Sequence, residues 1–352
     1  MRVLAWPAFN SRGDNPYCWL LYTNIESLPG VEVEEFSPGR VLRNRYAIWH
    51  LHWPELLLNS ANPLAALAKT RALLLLIDWA RARGIKVVWT VHNLSAHERQ
   101  HPRLEAWFWK AFVRRLDGYI TFGEAGMDAA RCRFPELRDL QGFVIPHGHY
   151  RGEYVDHLNS QEARTVLGIP PSAKVLLFFG QIRAYKNVPR LIDAFQRFSD
   201  PNVMLYVVGK PRTPAMEENV RKAARLDPRV RLHLSFVPKD MVQTYLRAAN
   251  LIILPYHETF NSGSVLLALS FSRPVLVPLQ GTFSELQTQV GKEWVRTYKG
   301  NITPVQIEEA LQWVLRTPRP DRAPLEQFGW KELAQQTIDA YTAVTAGLKK
   351  RP

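Results

Sequence analysis

Two loops in the second half of the chain carry residues that could hold a diphosphate. Arg183 and Lys186 follow the apolar run Val175–Gly180, and the small residues Ser262, Gly263 and Ser264 stand directly before a helical stretch. Cations at a strand end can neutralise a departing diphosphate without a metal ion. Small residues before a helix expose backbone N–H groups that, with the helix dipole, bind phosphate. Together the loops predict a diphosphate site. Taken singly, the first is more simply explained as two solvated cations and the second as an N-cap turn.

Carboxylates and histidines provide candidates for handling sugar hydroxyls and protons. Glu258 precedes the small residues and can accept hydrogen bonds from sugar or ribose hydroxyls. Asp14, in the turn after the first strand, is a candidate general base, with a purely structural turn as the alternative. His92 ends the run Val87–Val91 and is a candidate to contact a sugar, as against a structural histidine. Weaker candidates of the same kind lie at other strand ends: His50, His52, Glu98, Glu124 and His147.

The sequence predicts neither a metal site nor another cofactor. His92, His97 and His101 are spaced closely enough to raise the question, but Pro102 and the loop context argue against one helix carrying all three. The two cysteines are far apart in sequence and lack metal-ligand spacing, which predicts reduced structural thiols.

Short apolar runs alternate with stretches of helical period along the chain, a pattern typical of βα units that build parallel sheets. The diphosphate-binding candidates fall near the carboxyl ends of predicted strands, where such sheets bind ligands. The predicted strands are Arg2–Phe9, Val31–Phe36, Ala47–His52, Lys86–His92, Gly118–Phe122, Phe143–Pro146, Val175–Gly180, Val203–Val208, Val230–Phe236, Leu251–Pro255 and Val275–Pro278. The predicted helices lie near Tyr17–Ser27, Pro63–Arg83, Arg103–Leu116, Glu124–Arg133, Val188–Phe198, Ala215–Leu226, Lys239–Ala248, Val265–Ser270 and Trp330–Leu348.

Loop character between His147 and Pro171 interrupts this alternation, and a chain of 352 residues suits two domains of roughly 150 residues each. We therefore predict an α/β protein with two Rossmann-like domains, residues 1–150 and 151–328, facing each other across a cleft. A helix in 329–352 follows and could return to the first domain. The cleft between the carboxyl ends of the strands would hold the ligands.

The chain carries a formal net charge of +13, which implies attraction to an anionic partner. Its Lys and Arg residues are dispersed and no zinc-finger or RNP-type motif is present, which argues against nucleic acid. No apolar run approaches the roughly 20 residues that span a bilayer, and the first residues enter a strand pattern directly, so we predict a cytoplasmic location. The aromatic and basic stretches Ala65–Arg83 and Arg103–Leu116 suit peripheral contact with an anionic membrane surface at its inner face. The alternative is that their apolar residues serve only to pack on the sheet.

In their order and separation these elements resemble the donor-binding domain of GT-B glycosyltransferases of the family 4, or group 1, type. Phe179–Asn187 is similar to that family's glycine–Arg–Lys loop, and Leu205–Lys210 to its next strand and glycine. Val237–Lys239 resembles the segment whose backbone borders the nucleotide base. The resemblance covers most of residues 174–345. The residues that it implies as donor-binding are Gly180, Arg183, Lys186, Gly209, Lys210, Val237, Ser262, Gly263 and Ser264.

The chain departs from this family at a pair of glutamates that the family carries eight positions apart. Glu258 can stand for the first, but the second position holds Leu266 or Leu267, and neither side chain can hold a ribose. Both the nucleotide contacts and the retaining stereochemistry of the family are therefore open for this chain, and an inverting enzyme is allowed.

The resemblance implies transfer of a hexose from a nucleotide diphosphate sugar, GDP- or UDP-linked, to a hydroxyl of a glycan or lipid-linked saccharide. His92 resembles a strand-end histidine that meets the donor sugar in related enzymes. The His-Trp-Pro and Thr-Val-His-Asn-Leu stretches look like those of bacterial exopolysaccharide mannosyl- and glucosyltransferases, which favours GDP-mannose. A nucleotide-sugar epimerase or hydrolase of the same fold, and a basic binding protein without catalysis, are the alternatives.

Overall fold

The computed structural model describes residues 1–13, 15–43, 45–96, 100–257 and 262–347. They form two compact units, the first comprising Met1–Gly148 with the stretch from Gln327 onward, and the second His149–Glu326. Each unit contains one six-stranded parallel sheet whose strands are joined through helices. The α/β class that the alternating pattern predicts is confirmed.

The first unit is a doubly wound sheet in which the chain moves outward from its first strand in both directions. Its strands are β1 (Arg2–Trp6), β2 (Glu32–Glu35), β3 (Ile48–Leu51), β4 (Lys86–Thr90), β5 (Gly118–Thr121) and β6 (Gln141–Val144). Their order is β2-β1-β3-β4-β5-β6. The helices before the second unit are α1 (Tyr17–Glu26), α2 (Pro38–Arg43), α3 (Pro63–Ala82), α4 (Pro102–Val113) and α5 (Glu124–Arg133).

The second unit is likewise doubly wound, since the chain moves outward from its first strand, β7, in both directions. Its strands are β7 (Lys174–Phe179), β8 (Val203–Val208), β9 (Val230–His233), β10 (Leu251–Ile253), β11 (Val275–Pro278) and β12 (Val295–Tyr298), in the order β12-β11-β10-β7-β8-β9. Its helices are α6 (Ser160–Val166), α7 (Val188–Gln196), α8 (Pro214–Ala224), α9 (Val242–Ala248), α10 (Gly263–Ser270), α11 (Phe283–Val290) and α12 (Pro304–Arg316). The strand order reverses between β7 and β10, and ligands of such sheets bind at that reversal.

The sheet of the second unit is buried on both faces, which explains its apolar strands. In β7 the run Val175–Phe179 is buried at every position, as expected where helices cover both faces of a parallel sheet. The helix that follows is amphipathic, because Val188, Leu191, Ile192 and Phe195 recur at helical spacing and are all buried.

The last helix of the described chain, α13 (Trp330–Thr345), packs in the first unit. Leu333, Tyr341 and Val344 belong to the same core cluster as residues of α1 and β1. The backbone at Gly148 lies directly against the Trp330 ring of α13, since a Cβ atom at Gly148 would be 2.4 Å from this ring. Within the described ranges, no helix combines the length and the apolar character that crossing a bilayer requires.

The sequence pattern misses or displaces elements where the burial is weak. It does not predict β12, an edge strand of sequence VRTY whose two central residues are half-buried. The other edge strand of this kind, β6, runs over Gln141–Val144 rather than Phe143–Pro146, and all its residues are half-buried. Edge strands pair on one side only and carry a weaker apolar signal. The unpredicted helices are α2, α6, α11 and α12.

Gly209 follows β8 at a place where two backbones touch. Its φ is +145°, and a Cβ atom there would lie 2.1 Å from the Gly180 carbonyl oxygen. Gly209→Ala should therefore lower the free energy of unfolding by roughly 2–4 kcal/mol, measured by urea denaturation, because it adds backbone strain and overpacking. Gly39→Ala is the matched control: Gly39 lies in α2 with nothing within 4 Å of its Cβ position. That change should be neutral or stabilising by up to about 1 kcal/mol, and equal losses in the two variants would contradict the close-contact explanation.

Candidate active site

Two loops of the second unit converge where its strand order reverses. Gly180 directly follows β7 and has a φ of +128°, a conformation that favours glycine. A Cβ atom at this position would lie 3.1 Å from Ser264 Oγ and 3.3 Å from Lys186 Nζ. The structure thus brings together three of the predicted donor-binding residues, from the loop after β7 and from the start of α10.

The Lys186 side chain is buried but has no acidic partner in the described part of the chain. Lys186 is 7% exposed, and its Nζ lies 5.5 Å from the centroid of the Tyr256 ring. No carboxylate of the described residues forms an ion pair with it. Because a buried charge is costly unless it is paired, this ammonium group is suited to bind an anion.

The start of α10 and the loop after β7 add further groups for an anion. Ser262 is the N-cap residue of α10, yet its side chain makes no capping hydrogen bond; its Oγ instead lies 3.2 Å from the Tyr256 hydroxyl. Gly263 is the first helical residue, and because glycine has no side chain, nothing from this residue screens the first-turn N–H groups. Arg183 lies in the same loop as Lys186, and its Nε donates to Gln181 Oε1 at 2.8 Å.

The other predicted donor-binding residues follow β8 and β9 along the same edge of the sheet. Gly209 contacts the Gly180 backbone directly. Lys210 is exposed, and its carbonyl oxygen accepts a hydrogen bond from the Ile182 N–H at 3.0 Å. Val237 is half-buried beyond β9. Gly209 therefore shapes the cluster around Gly180, whereas Lys210 and Val237 lie one and two strands away from it.

Several sequence candidates lie outside the described residues: Asp14, Glu98, Glu258 and, from the histidine trio, His97. The two leucines that replace the second family glutamate are described, and both are buried on α10, Leu266 at 5% and Leu267 at 9% exposure. They contribute to the core of the second unit.

His50 is the centre of a buried polar cluster at the end of β3 in the first unit. Its Nε2 lies 2.7 Å from Thr90 Oγ1, at the end of the neighbouring β4. Its Nδ1 lies 2.8 Å from the Tyr22 hydroxyl on α1 and 2.6 Å from the Tyr341 hydroxyl on α13. The returning helix α13 thus supplies part of the cluster.

His52 extends this cluster to His92. The Tyr22 hydroxyl lies 2.6 Å from His52 Nε2, and His52 Nδ1 lies 3.0 Å from His92 Nε2. The Trp53 and His92 rings are 4.2 Å apart between centroids, and the Tyr17 ring meets His92 edge-on at 5.2 Å. The orientation of the His92 imidazole is therefore fixed by one hydrogen bond and by contacts with two aromatic rings.

Burial keeps these histidines neutral. It lowers the pKa of His50 to about 3 and that of His147 to about 4, and it lowers the pKa of His52 and His92 well below the usual value, with neighbouring histidines adding to the effect. A histidine whose charged form is so disfavoured is a poor proton acceptor at pH 7. The environment of His92 therefore suits hydrogen bonding to a sugar hydroxyl rather than proton abstraction.

The weaker candidates His147 and Glu124 have clear structural surroundings. His147 Nδ1 lies 2.8 Å from the Gly148 carbonyl oxygen, and its ring is 4.6 Å from that of Tyr17. Glu124 is exposed in the first turn of α5, where a carboxylate interacts favourably with the helix dipole.

Sequence reasoning missed Glu55, a buried acid at the same edge of the first sheet. It lies in the short 3-10 helix Pro54–Asn59 and is 3% exposed, and its Oε1 accepts a hydrogen bond from Asn93 Nδ2 at 2.8 Å. Burial raises the pKa of Glu55 to about 7, with Glu105 adding to the rise and the Asn93 bond opposing it. The available signal was a lone carboxylate in the otherwise apolar run Trp53–Leu58, directly after a strand.

Of the histidine trio considered for a metal, the two described members do not share a helix: His92 follows β4, and His101 is the N-cap residue of α4. The Nε2 atom of His101 is 2.7 Å from the carbonyl oxygen of Ser60. Across the described ranges, no group of three or more His, Cys, Asp or Glu side chains is arranged to hold a metal ion.

The fold is shared with solved glycosyltransferase structures. Sucrose-phosphate synthase from Thermosynechococcus elongatus aligns over 98% of this chain and 99% of its own, with a TM-score of 0.71 and 15% identity. Anabaena HepE in complex with UDP-glucose aligns over 99% of each chain, with a TM-score of 0.66 and 14% identity. The two doubly wound units thus have the GT-B fold, as predicted.

The sequence comparisons then place the chain in a family. Residues 173–315 match the family described as Glycosyl transferases group 1. A GDP-mannose:glycolipid 4-beta-D-mannosyltransferase from Xanthomonas campestris pv. campestris is 35% identical over 328 residues, which are 93% of this chain and 88% of that protein. The chain belongs to the group 1 glycosyltransferases, and the predicted family and enzyme class are confirmed.

The neutral histidines predict that acid destabilises the first unit. Their folded-state pKa values lie below the unfolded value near 6.5, so the unfolded chain binds more protons as the pH falls from 6.5 towards 3–4. Stability that is fully present above pH 6.5 should drop by about 1.4 kcal/mol per pH unit for each histidine, and the raised pKa of Glu55 offsets one such contribution between about pH 7 and 4.5. Urea unfolding between pH 7.5 and 4.5 measures this slope, and His50→Gln should reduce it by about one proton. A flat profile from pH 7 to 5 would show that these imidazoles are not buried as neutral groups.

Proposed function

We propose that this glycosyltransferase moves mannose from GDP-mannose to a hydroxyl group of a lipid-linked saccharide, without a metal ion at the donor diphosphate. The buried Lys186 ammonium beside Gly180 and Ser264 is the observation that carries the donor site. The 35% identity to a GDP-mannose:glycolipid mannosyltransferase, over nearly the whole of both chains, supports the choice of donor and acceptor.

The donor diphosphate would be held by charge and by backbone amides. Negative charge grows on the diphosphate as the bond from the sugar C1 to its oxygen breaks, and groups already aimed at that charge stabilise the transition state. Lys186 and Arg183 would supply two cations from one loop, and the start of α10 would supply N–H groups and the positive end of its dipole. His92 would orient the sugar through a hydrogen bond.

The decisive variant removes both loop cations, Arg183→Ala with Lys186→Ala. GDP should raise the Tm of the wild type by more than UDP or dTDP does, whereas the variant should lose this shift. Transfer from GDP-mannose to a panel of octyl-linked and polyprenyl-diphosphate-linked saccharides should fall by at least about 10³-fold. Lys222→Ala with Arg225→Ala, an exposed pair at the same spacing near α8, should leave both readouts unchanged. Equal consumption of GDP-mannose with and without acceptor would contradict transfer.

We further propose that the first unit contacts an anionic membrane at its cytoplasmic face, where a lipid-linked acceptor resides. The outer side of α3 carries an apolar stripe at helical spacing: Leu64, Ala68, Ala72, Leu75 and Trp79. Leu64 and Leu75 are 73% and 69% exposed, and Trp79 is 46% exposed. Exposed apolar groups of this size in a line are typical of interaction surfaces.

Basic residues frame this stripe and extend it to α4. Lys69 and Arg71 flank it on either side, and the Arg83 guanidinium lies 5.7 Å from the centroid of the Trp79 ring. Arg115 joins α4 to α3 through a paired contact with Asp78 at 2.8 and 2.9 Å. On α4 the exposed residues are Pro102, Arg103, Ala106, Trp107 and Lys110. Aromatic rings between cations match the interface of an anionic bilayer.

Liposome flotation tests this surface. The wild type should float with vesicles of phosphatidylcholine containing phosphatidylglycerol, less so in high salt, and Leu75→Asp with Trp79→Asp should reduce the bound fraction at least about tenfold. The control Leu226→Asp with Val305→Asp makes the same changes at exposed apolar residues of the second unit. Binding that does not depend on phosphatidylglycerol, or equal losses in both variants, would contradict the proposed surface.

A further inference from the structure

Glu55 lies beside the residues that are expected to meet the sugar. Asn93 directly follows His92 at the end of β4 and donates to the Glu55 carboxyl at 2.8 Å. The ring of Trp53, two residues before Glu55, lies 4.2 Å from the His92 ring at an angle of 33°. The carboxyl group and the imidazole are therefore attached to the same short stretch of the carboxyl edge of the sheet, where β3 and β4 end side by side.

The elements packed on Glu55 bring few charges to it. From α4, Glu105 faces it, and that carboxylate is already engaged with the Ala96 N–H at 2.6 Å and the Trp109 Nε1–H at 3.2 Å. His101 at the start of α4 contacts the Ser60 carbonyl instead, and the buried residues of α3 are uncharged. From β4, His92 is neutral. No described cation forms an ion pair with Glu55, so its carboxylate is more basic than one in water.

The polar groups of this edge divide into two kinds by their ability to take a proton. The linked imidazoles are deeply buried beside one another, so an added positive charge on any of them is strongly disfavoured. A carboxylate becomes neutral when it accepts a proton, so burial favours proton uptake by Glu55. General bases work best when their pKa lies near the working pH, and Glu55 meets this condition at about 7.

We propose that Glu55 is the general base that deprotonates the acceptor hydroxyl. This inference rests on the proposed function and names the residue that would activate its acceptor. The acceptor oxygen forms the new bond to the sugar C1 while its proton passes to a Glu55 carboxylate oxygen. The bond between C1 and the diphosphate oxygen breaks, and its electron pair leaves with GDP. Asn93 acts as a positioning residue that holds the carboxylate.

A single displacement of this kind inverts the configuration at C1. It requires no second family glutamate, which agrees with the buried leucines at positions 266 and 267. The neighbour of Glu55, Leu56, is 53% exposed, so the same 3-10 helix joins the proposed base to apolar surface where a lipid-linked acceptor can lie.

Glu55→Gln tests the assignment because glutamine keeps the shape and can still accept the hydrogen bond from Asn93. Its kcat for mannosyl transfer to the octyl-linked and polyprenyl-diphosphate-linked panel should fall 10²- to 10⁴-fold, with the GDP affinity from calorimetry unchanged. The wild-type kcat/KM should decline as the pH falls below about 7, since Glu55 then becomes protonated, and the product should have the anomeric configuration opposite to that of the donor. Asn93→Ala should move this acid limb to higher pH, because the lost hydrogen bond favours the charged carboxylate.

A stability measurement separates a catalytic role from a structural one. The folded-state pKa of Glu55, about 7, lies above its unfolded value near 4.5, so the stability that it contributes is fully present below pH 4.5 and is lost as the pH rises to about 7. Glu55→Gln should therefore raise the Tm at pH 8 while abolishing transfer. Glu105→Gln, on the neighbouring helix, is the control: it should lower the Tm and leave kcat within threefold of the wild type.

The outcomes distinguish the inference from the function on which it rests. An active wild type with Glu55→Gln within threefold of its kcat would overturn the assignment, and so would a product that retains the donor configuration. Loss of transfer in Asp14→Asn but not in Glu55→Gln would give the role of base to Asp14. A wild type that binds GDP-mannose but transfers to no acceptor in the panel would instead overturn the proposed function.

Discussion

The second unit buries the ammonium group of Lys186, and the loops around this charge are arranged so that an anion could bind to it. Lys186 is held inside the protein by the turn after β7, next to a glycine whose missing side chain leaves room and beside the start of α10. In the described residues its charge is not matched by a carboxylate. An unpaired buried charge is costly, so a bound anion would be favourable there, and parallel sheets bind ligands at the reversal of strand order. The close contact of Gly209 with Gly180 keeps this geometry.

The first unit has a different electrostatic character, since its strand ends hold neutral polar groups. The Tyr22 hydroxyl links His50 to His52, and His52 is hydrogen-bonded directly to His92. All three imidazoles are buried, which makes them rigid hydrogen-bonding groups rather than bases. Leucines stand where the family carries its second glutamate. They add apolar packing to the core of the second unit and cannot make the polar contact of a glutamate. Proton transfer therefore falls to a carboxyl group, and Glu55 has both the position and the environment for it.

Much of the fold followed from the pattern of the chain, because parallel sheets covered on both faces have continuous apolar strands. β7 and β8 match the predicted runs closely, and so does α5. The failures have a common cause: β6 and β12 are edge strands with half-buried residues, and their sequences are too polar to stand out. Burial, which decides these cases, depends on partners that are distant in sequence.

The residue types and their order were enough to identify the family. They also selected the candidates: the glycine, arginine and lysine of the loop after β7 and the strand-end histidines. What the sequence could not determine was the state of these groups. His92 is neutral because it is buried, with the Tyr17 and Trp53 rings packed against it, and because His147 and His50 lower its pKa further. The fold brings these residues to it from other segments. The proton affinity of Glu55 likewise depends on burial and on Asn93. Desolvation and hydrogen bonding are properties of the assembled tertiary structure, so only the folded chain could separate the candidate base from the groups that orient the sugar.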